Sequence, residues 1–428
     1  MNTPANKLPS NPAWKISESL DLYQVEAWGK GYFSVNELGH VVVRPSMDAS
    51  REIDLYDVVQ GLRARDLHTP VVIRFSDILA HRLRHLAEAF GTAITENDYK
   101  NRYAAVFPIK VNQQRLVVEE VYRYGKEFGF GLEVGSKPEL LAVMSITEDA
   151  PDRIVVCNGF KDDSYIEAVI LATKLGRTII PVVENFEEIH LILKHAQAYG
   201  VRPKLGVRVK LASEGAGRWR ESAGEKSKFG LFISEILELY ALLKARGMLD
   251  CLQLVHCHPG SQLQDIRRVK DAINELAHVY SELKIMGAGL QYIDIGGGLG
   301  VDYDGSGTNF ESSMNYTLNE YASDVVYRIK SVCDARNVPH PMIVSDPAGP
   351  SLRTIACWSS TRSAPLNWIS SRYRAESKRT ITAARSCRNP CATCSIVSAR
   401  SVRAAWSSVI TTRCKPANRR CRCSIWAF

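Results

Sequence analysis

Between residues 103 and 346, short β-branched runs recur eight times: "YAAVFPIKV", "FGFGLEVGS", "RIVVCNG", "TIIPVVEN", "PKLGVRVKL", "LQLVHCHPG", "LQYIDIGGG" and "HPMIVSD". Most of the intervals hold amphipathic stretches such as "VVEEVYRYGKEF" and "FEEIHLILKHAQAYG", with apolar residues at helical spacing and glycine or proline near their ends. Strands that alternate with helices read as a parallel sheet, because each helix carries the chain back to start the next strand from the same end. Eight such repeats make a (β/α)8 TIM barrel the leading architecture and a doubly wound open sheet the second; either places chemistry beyond the carboxyl ends of the strands. The lead-in "TPVVIRFSD" precedes the first repeat, and residues 1–70, with "GYFSVNELGHVVVRP", read as a short β segment outside the barrel.

The chain has 428 residues and a net charge of +8, but the charge is unevenly spread. Residues 347–428 hold 13 arginines, 2 lysines and a single acid, Glu376, so they carry +14 and the preceding residues −6. Seven of the eleven cysteines lie in the same 82 residues. The body is therefore mildly acidic and cysteine-poor, as in a cytoplasmic enzyme, with nucleic acid and membrane not expected as partners. The opening "MNTPANKLPSNPAWKISESLDLY" is polar and broken by prolines, which reads as neither a signal peptide nor an anchor.

Four strand ends carry chemistry. In "YAAVFPIKV", Lys110 shares a parity with Val106 and Pro108, which sets an ammonium at a barrel mouth; the plainer alternative is a lysine snorkelling to water. "GLEVGS" ends on a carboxylate, Glu133. "LVHCHPGSQ" puts His256 and His258 on one face and then turns through Ser261, although a histidine near a strand end is more often a packed side chain than a catalyst. In "IDIGGGLGVDY" three successive glycines free backbone N–H groups to approach a phosphate, with a tight turn as the alternative. The long, glycine-rich "KLASEGAGRWRESAGEKSKFG" reads as a functional loop over the mouth. A lysine, a stacking histidine and a phosphate cradle on one barrel face describe a pyridoxal phosphate site, in which the lysine forms a Schiff base after losing its proton, a loss that a partly desolvated mouth favours.

The stretches "FPIKVNQ", "GSKPEL", "LGVRVKLAS", "GEKSKFGL", "HPGSQ", "DIGGGLGVDYDG" and "LNEYA", in this order and spacing, resemble the biosynthetic arginine decarboxylases, fold-type III pyridoxal phosphate enzymes related to ornithine and diaminopimelate decarboxylases. The likeness runs from residue 14 to about 346. It implies an alanine-racemase-like barrel over 71–346 and conversion of L-arginine to agmatine and carbon dioxide in polyamine synthesis, with magnesium as a further family expectation for which the sequence offers no ligand cluster. It makes Lys110 the Schiff-base lysine and His258 the residue stacked on the cofactor ring, matches Ser261, Gly296, Gly297 and Gly298 to phosphate contacts and Glu133 and Arg208 to the ring site, and matches Ile293 to Tyr303 to a substrate-binding stretch. Pro259 departs from the aliphatic residue usual there and removes an N–H beside the ring. The alternatives are a relative acting on ornithine, lysine or diaminopimelate, and a non-catalytic fragment.

The resemblance stops abruptly. The family continues its eighth strand with a glutamate and then Ser-Gly-Arg, whereas this chain reads "VSDPAGPSLRT", so Asp346 offers a carboxylate one methylene short at the ring nitrogen. Beyond Pro347 hydrophobic periodicity vanishes. Codons shifted by one base from Asp346 permit Ser-Gly-Arg-Ala-Ile-Val-Ala-Tyr-His and, after one unspecified residue, Val-Leu-Val-Phe, so residues 347–428 read as an out-of-frame tail without regular structure. A zinc site is disfavoured, since Cys421 and Cys423 are separated by a single residue. On this reading the family's carboxy-terminal β domain, which supplies substrate contacts across a homo-oligomer interface, is missing and the literal chain is inactive.

Overall fold

The computed structural model describes residues 14–147, 149–212, 227–303 and 305–347, with three strand segments nearer the carboxyl end. The chain divides into two units, one formed by residues up to Tyr56 with Ser76–Ile355, the other by Asp57–Phe75 with Ala356–Phe428. In the first unit, β1 (Phe33–Val35), β2 (Val41–Val43) and β3 (Ile53–Asp54) form a small antiparallel sheet.

In the second unit, β4 (Val71–Phe75) is flanked by strands of the tail. The rest of the first unit is a closed barrel of β5 (Tyr103–Pro108), β6 (Gly131–Val134), β7 (Val155–Cys157), β8 (Ile179–Val183), β9 (Leu205–Arg208), β10 (Leu252–His256), β11 (Tyr292–Asp294) and β12 (Met342–Ser345). All neighbouring barrel strands run parallel. The eight runs legible in the sequence are these eight strands, and the barrel, not the open sheet, is the architecture.

Local chemistry explains the alternation. The strands are buried on both faces and so read as continuous apolar runs. The connecting helices begin on caps: the Asp162 carboxylate accepts the N–H of Tyr165 before helix Asp163–Lys174, and Thr317 with Glu320 forms a capping box on helix Leu318–Ala335. Gly200, with φ +65°, ends helix Glu187–Tyr199 in the left-handed conformation that glycine adopts without penalty. No helix among the described residues is long and apolar enough to cross a membrane.

One parity of each strand points into the barrel. Val106, Val156, Ile180, Val182, Leu254 and Val344 pack with Ile154 in a single buried cluster. Gly206 completes the layer from β9, where a Cβ would stand only 2.9 Å from Leu254 Cδ2 and 3.0 Å from Val182 Cγ2.

Two sequence expectations are corrected. Lys110 is not on the strand: β5 ends at Pro108, which has no N–H to continue a ladder, and Lys110 sits in a 3-10 turn, Ile109–Val111. The tail is not uniformly without regular structure, because β13 (Ala356–Ser359), β14 (Ile410–Arg413) and β15 (Arg422–Ala427) join an antiparallel sheet ordered β13-β4-β15-β14. Their residue types, as in "ITTR" and "CSIW", include β-branched and aromatic ones, and β4 has two edges to pair. The long loop at 213–226, and Cys391, Cys394 and Cys421, lie outside the described residues.

Ile180 has no solvent exposure, so Ile180→Ala leaves a cavity that the closed barrel cannot collapse, and denaturant unfolding should register a loss of about 2–5 kcal/mol.

Candidate active site at the barrel mouth

Along each inward parity, the residue two places beyond the apolar layer is at or next to the strand's carboxyl end: Pro108, Glu133, Asn158, Glu184, Arg208, His256, Asp294 and Asp346. Seven of the eight are polar, six of them ionisable, and the seven form a polar ring above an apolar core. Lys110 stands over this ring, its Nζ 3.2 Å from Glu133 Oε1, which also accepts from Asn158 Nδ2 at 3.3 Å. Glu133 has no exposed surface, while the Lys110 side chain is 54% exposed.

Burial acts on Lys110 to favour the neutral amine, but the charges of Glu133 and Asp346, with Glu184 behind them, outweigh it and hold the ammonium above its ordinary value. The sequence expectation that desolvation discharges this lysine is therefore corrected: three carboxylates win over the partial burial. Burial raises the Glu133 carboxyl, against the pull of Lys110. Asp346 is pushed well above the carboxylate range by burial and by the nearby Glu133 and Asp294. His258 moves the other way. Burial first, then the electrostatic influence of Arg208, His256 and Lys110, brings it down to about 3, so its imidazole is neutral at physiological pH.

The glycine turn after β11 is shaped by close approach. Gly296 has φ +67°, and a Cβ there would meet the Cys257 carbonyl oxygen at 2.2 Å; at Gly297 it would meet Asp346 Oδ1 at 2.4 Å; at Gly298, with φ +98°, the Gly260 carbonyl oxygen at 2.6 Å. Each position excludes a side chain for a different reason, and the turn lies against both the β10 and β12 ends. Gln262 locks it from outside, donating to Val301 O at 2.6 Å and accepting from Val301 N at 2.9 Å.

A cavity of about 390 Å³ opens between these groups. Its wall includes Lys110, His258, Ser261, Gly297, Gly298, Leu299, Val301, Tyr303 and Asp346 from the sequence reading, with Pro108, Val111, Gln262, Glu311 and Ser312 added by the structure. The remaining candidates are elsewhere. Ile293 and Ile295 are buried in the barrel wall. Asp294 Oδ1 accepts the Gly296 N–H at 2.9 Å, and its Oδ2 lies 3.0 Å from His256 Nδ1, in ion-pair range but off hydrogen-bond alignment. Gly300 and Asp302 line a second cavity of about 500 Å³. There Lys30 and Ser313 overcome burial and hold Asp302 down to about 2. Arg208 is off the cavity wall and pairs with Glu184, Nη1 to Oε1, at 3.0 Å.

Asn158 and Glu184 went unassigned in the sequence reading, and His256 was noted there without a role. Their signal was present: each is polar and at the same parity as the apolar residues of its run. No group of three or more histidine, cysteine or acidic side chains among the described residues is arranged to hold a metal ion.

Residues 81–349 match the family model for the pyridoxal-dependent decarboxylase, pyridoxal binding domain. The chain is 50% identical over 334 residues to the biosynthetic arginine decarboxylase of Rhodopirellula baltica, covering 78% of this chain and 50% of that protein. It is likewise 50% identical over 333 residues to the same-named protein of Gloeobacter violaceus, covering 78% and 52%. The crystal structure of the biosynthetic arginine decarboxylase from Campylobacter jejuni superposes with a TM-score of 0.69 at 32% identity, over 78% of this chain and 54% of that one. The chain thus spans about half the length of the curated relatives it matches. With a barrel of this topology and a family match that runs from the helix before β5 through β12, the chain belongs to the pyridoxal-dependent decarboxylases.

Proposed function

We propose that the barrel serves the α-decarboxylation of L-arginine to agmatine and carbon dioxide, with pyridoxal phosphate held at Lys110. The observation that carries this reading is the convergence of Lys110, His258, Asp346 and the glycine turn on one cavity wall, in a chain that over 78% of its length is 50% identical to proteins named biosynthetic arginine decarboxylase.

The residues present fit the cofactor. Five buried polar atoms near the strand ends, Glu133 Oε2, Asn158 Oδ1, Glu184 Oε2, His256 Nδ1 and Asp346 Oδ1, have no hydrogen-bond partner among the described residues. Native proteins rarely leave such atoms unmatched, so a cluster of five supports a polar ligand. Gly297, Gly298 and Ser261 offer a phosphate a side-chain-free turn and a hydroxyl. When bound, pyridoxal phosphate supplies an electron sink for the carbanion left by loss of carbon dioxide.

The chain's own groups have separate tasks. Lys110 would be the amine that holds the cofactor covalently, and Glu133, 3.2 Å from its Nζ, holds it as an ammonium in the free site. His258, neutral and on the cavity wall, gives a flat face to an aromatic ring. Asp346, at the end of β12 and on the cavity wall, would be the carboxyl partner of a ring nitrogen. Glu311 adds a second carboxylate to the wall, the residue type that a guanidinium pairs with most strongly.

Attachment of the cofactor needs the free amine, so its sign against pH follows from Lys110. Glu133→Gln removes the largest charge holding the ammonium and leaves burial, which favours the amine. The half-maximal pH of cofactor attachment, followed by absorbance, should fall by on the order of one unit; no shift or a rise would remove Glu133 from this role.

Substrate choice is tested by carbon dioxide release from arginine, ornithine, lysine and diaminopimelate. The 428-residue chain is compared with a version whose frame is restored at codon 346. The reading predicts arginine as the preferred substrate of the restored version and little turnover by the literal chain; preference for another amino acid would transfer the assignment to that relative. Re-reading the encoding DNA across codon 346 decides the frame change.

A further inference from the structure

Lys161, in the loop after β7, is one of the largest side chains with almost no exposure, and nothing in the proposed chemistry uses it. Its ammonium is wholly buried, 3.1 Å from Glu188 Oε2, and donates to the Gly159 carbonyl oxygen at 2.6 Å. Burying such a pair is costly, so its retention calls for a physical reason. Glu188 gives one. Its carboxylate also accepts the backbone N–H of Lys161 at 2.9 Å and that of Glu184 at 3.0 Å. Glu184 in turn holds Arg208, which lies over the Phe229 ring at 5.6 Å.

From these contacts we infer that Lys161 is a positioning residue for Arg208: it fixes Glu188, Glu188 fixes the backbone of Glu184, and Glu184 aims the guanidinium at the barrel mouth. The inference rests on the proposed function only in taking Arg208 as part of the cofactor site. Electrostatics agree with the geometry. Burial raises the Glu184 carboxyl, but Arg208 and then Lys161 outweigh it and hold Glu184 below its ordinary value, ready to pair. A purely structural pair would stabilise the loop and leave Arg208 indifferent to it.

The test labels Arg208 with phenylglyoxal and follows the rate by peptide mass spectrometry on the full chain. Two variants are used. Lys161→Met with Glu188→Gln removes both charges and so leaves no unpaired buried ion, yet a glutamine amide has only one oxygen for two backbone N–H groups. Glu188→Asp keeps both charges and withdraws the acceptor by one methylene.

In either variant that keeps the wild-type thermal midpoint, Arg208 should react about tenfold faster, the effect of losing one charge-assisted hydrogen bond of ordinary strength. Arg153, a buried arginine held by the Tyr122 carbonyl oxygen, should react at the wild-type rate. An unchanged Arg208 rate in a folded variant, or equal acceleration of both arginines, overturns the inference. Uptake of pyridoxal phosphate, read by absorbance in parallel, separates the two ideas: if the wild type takes up none, the functional reading fails while the Arg208 rates still decide the positioning role.

Discussion

Closure of eight parallel strands is the constraint on which everything else here depends. In a closed parallel barrel all carboxyl ends emerge on one rim, and one parity of every strand points inward. A polar residue placed two positions beyond an inward apolar residue therefore meets its counterparts from other strands, however distant in sequence. This chain does so on seven of its eight strands, and on β5 it defers the polar group by two more residues, to Lys110. The site follows from the barrel as a matter of register.

Crowding so many ionisable groups above a dry core sets their charges by competition. Burial alone would neutralise all of them. Lys110 nevertheless remains an ammonium because acidic groups from β6, β8 and the β12 end face it, while for His258 the positive charges of Arg208 and Lys110 add to its desolvation and the ring is neutral. The five unmatched polar atoms are what remains when such a ring is built to receive something else. The buried Lys161–Glu188 pair belongs to the same balance, since the Lys161 charge helps hold Glu184 below its ordinary value.

Much of this was legible in the sequence. The eight strands were, because burial on both faces writes a strand as an unbroken apolar run, and the glycine turn was, because three consecutive glycines have few other uses. Lys110, Glu133 and His258 could be picked out by their places at run ends, and Asp346 by the family resemblance. What was not legible depended on distance in space. The sign of the shift on Lys110 needed the carboxylates of other strands, and the locking of Val301 by Gln262 needed a loop contact 39 residues apart. Lys161 drew no notice in the sequence, since burial is not written in a single residue. The strands of the tail escaped because pairing with β4 joins segments about 285 to 355 residues apart, with no periodicity to announce them.

The central claim is that Lys110, at the mouth of this barrel, is the lysine that holds the cofactor. Borohydride reduction of the chain loaded with pyridoxal phosphate, followed by peptide mapping, tests it most directly. The account predicts a pyridoxyl group on the peptide containing "FPIKVNQ", at Lys110 and at near one per chain. Incorporation at another lysine, or scattered among several, would contradict it.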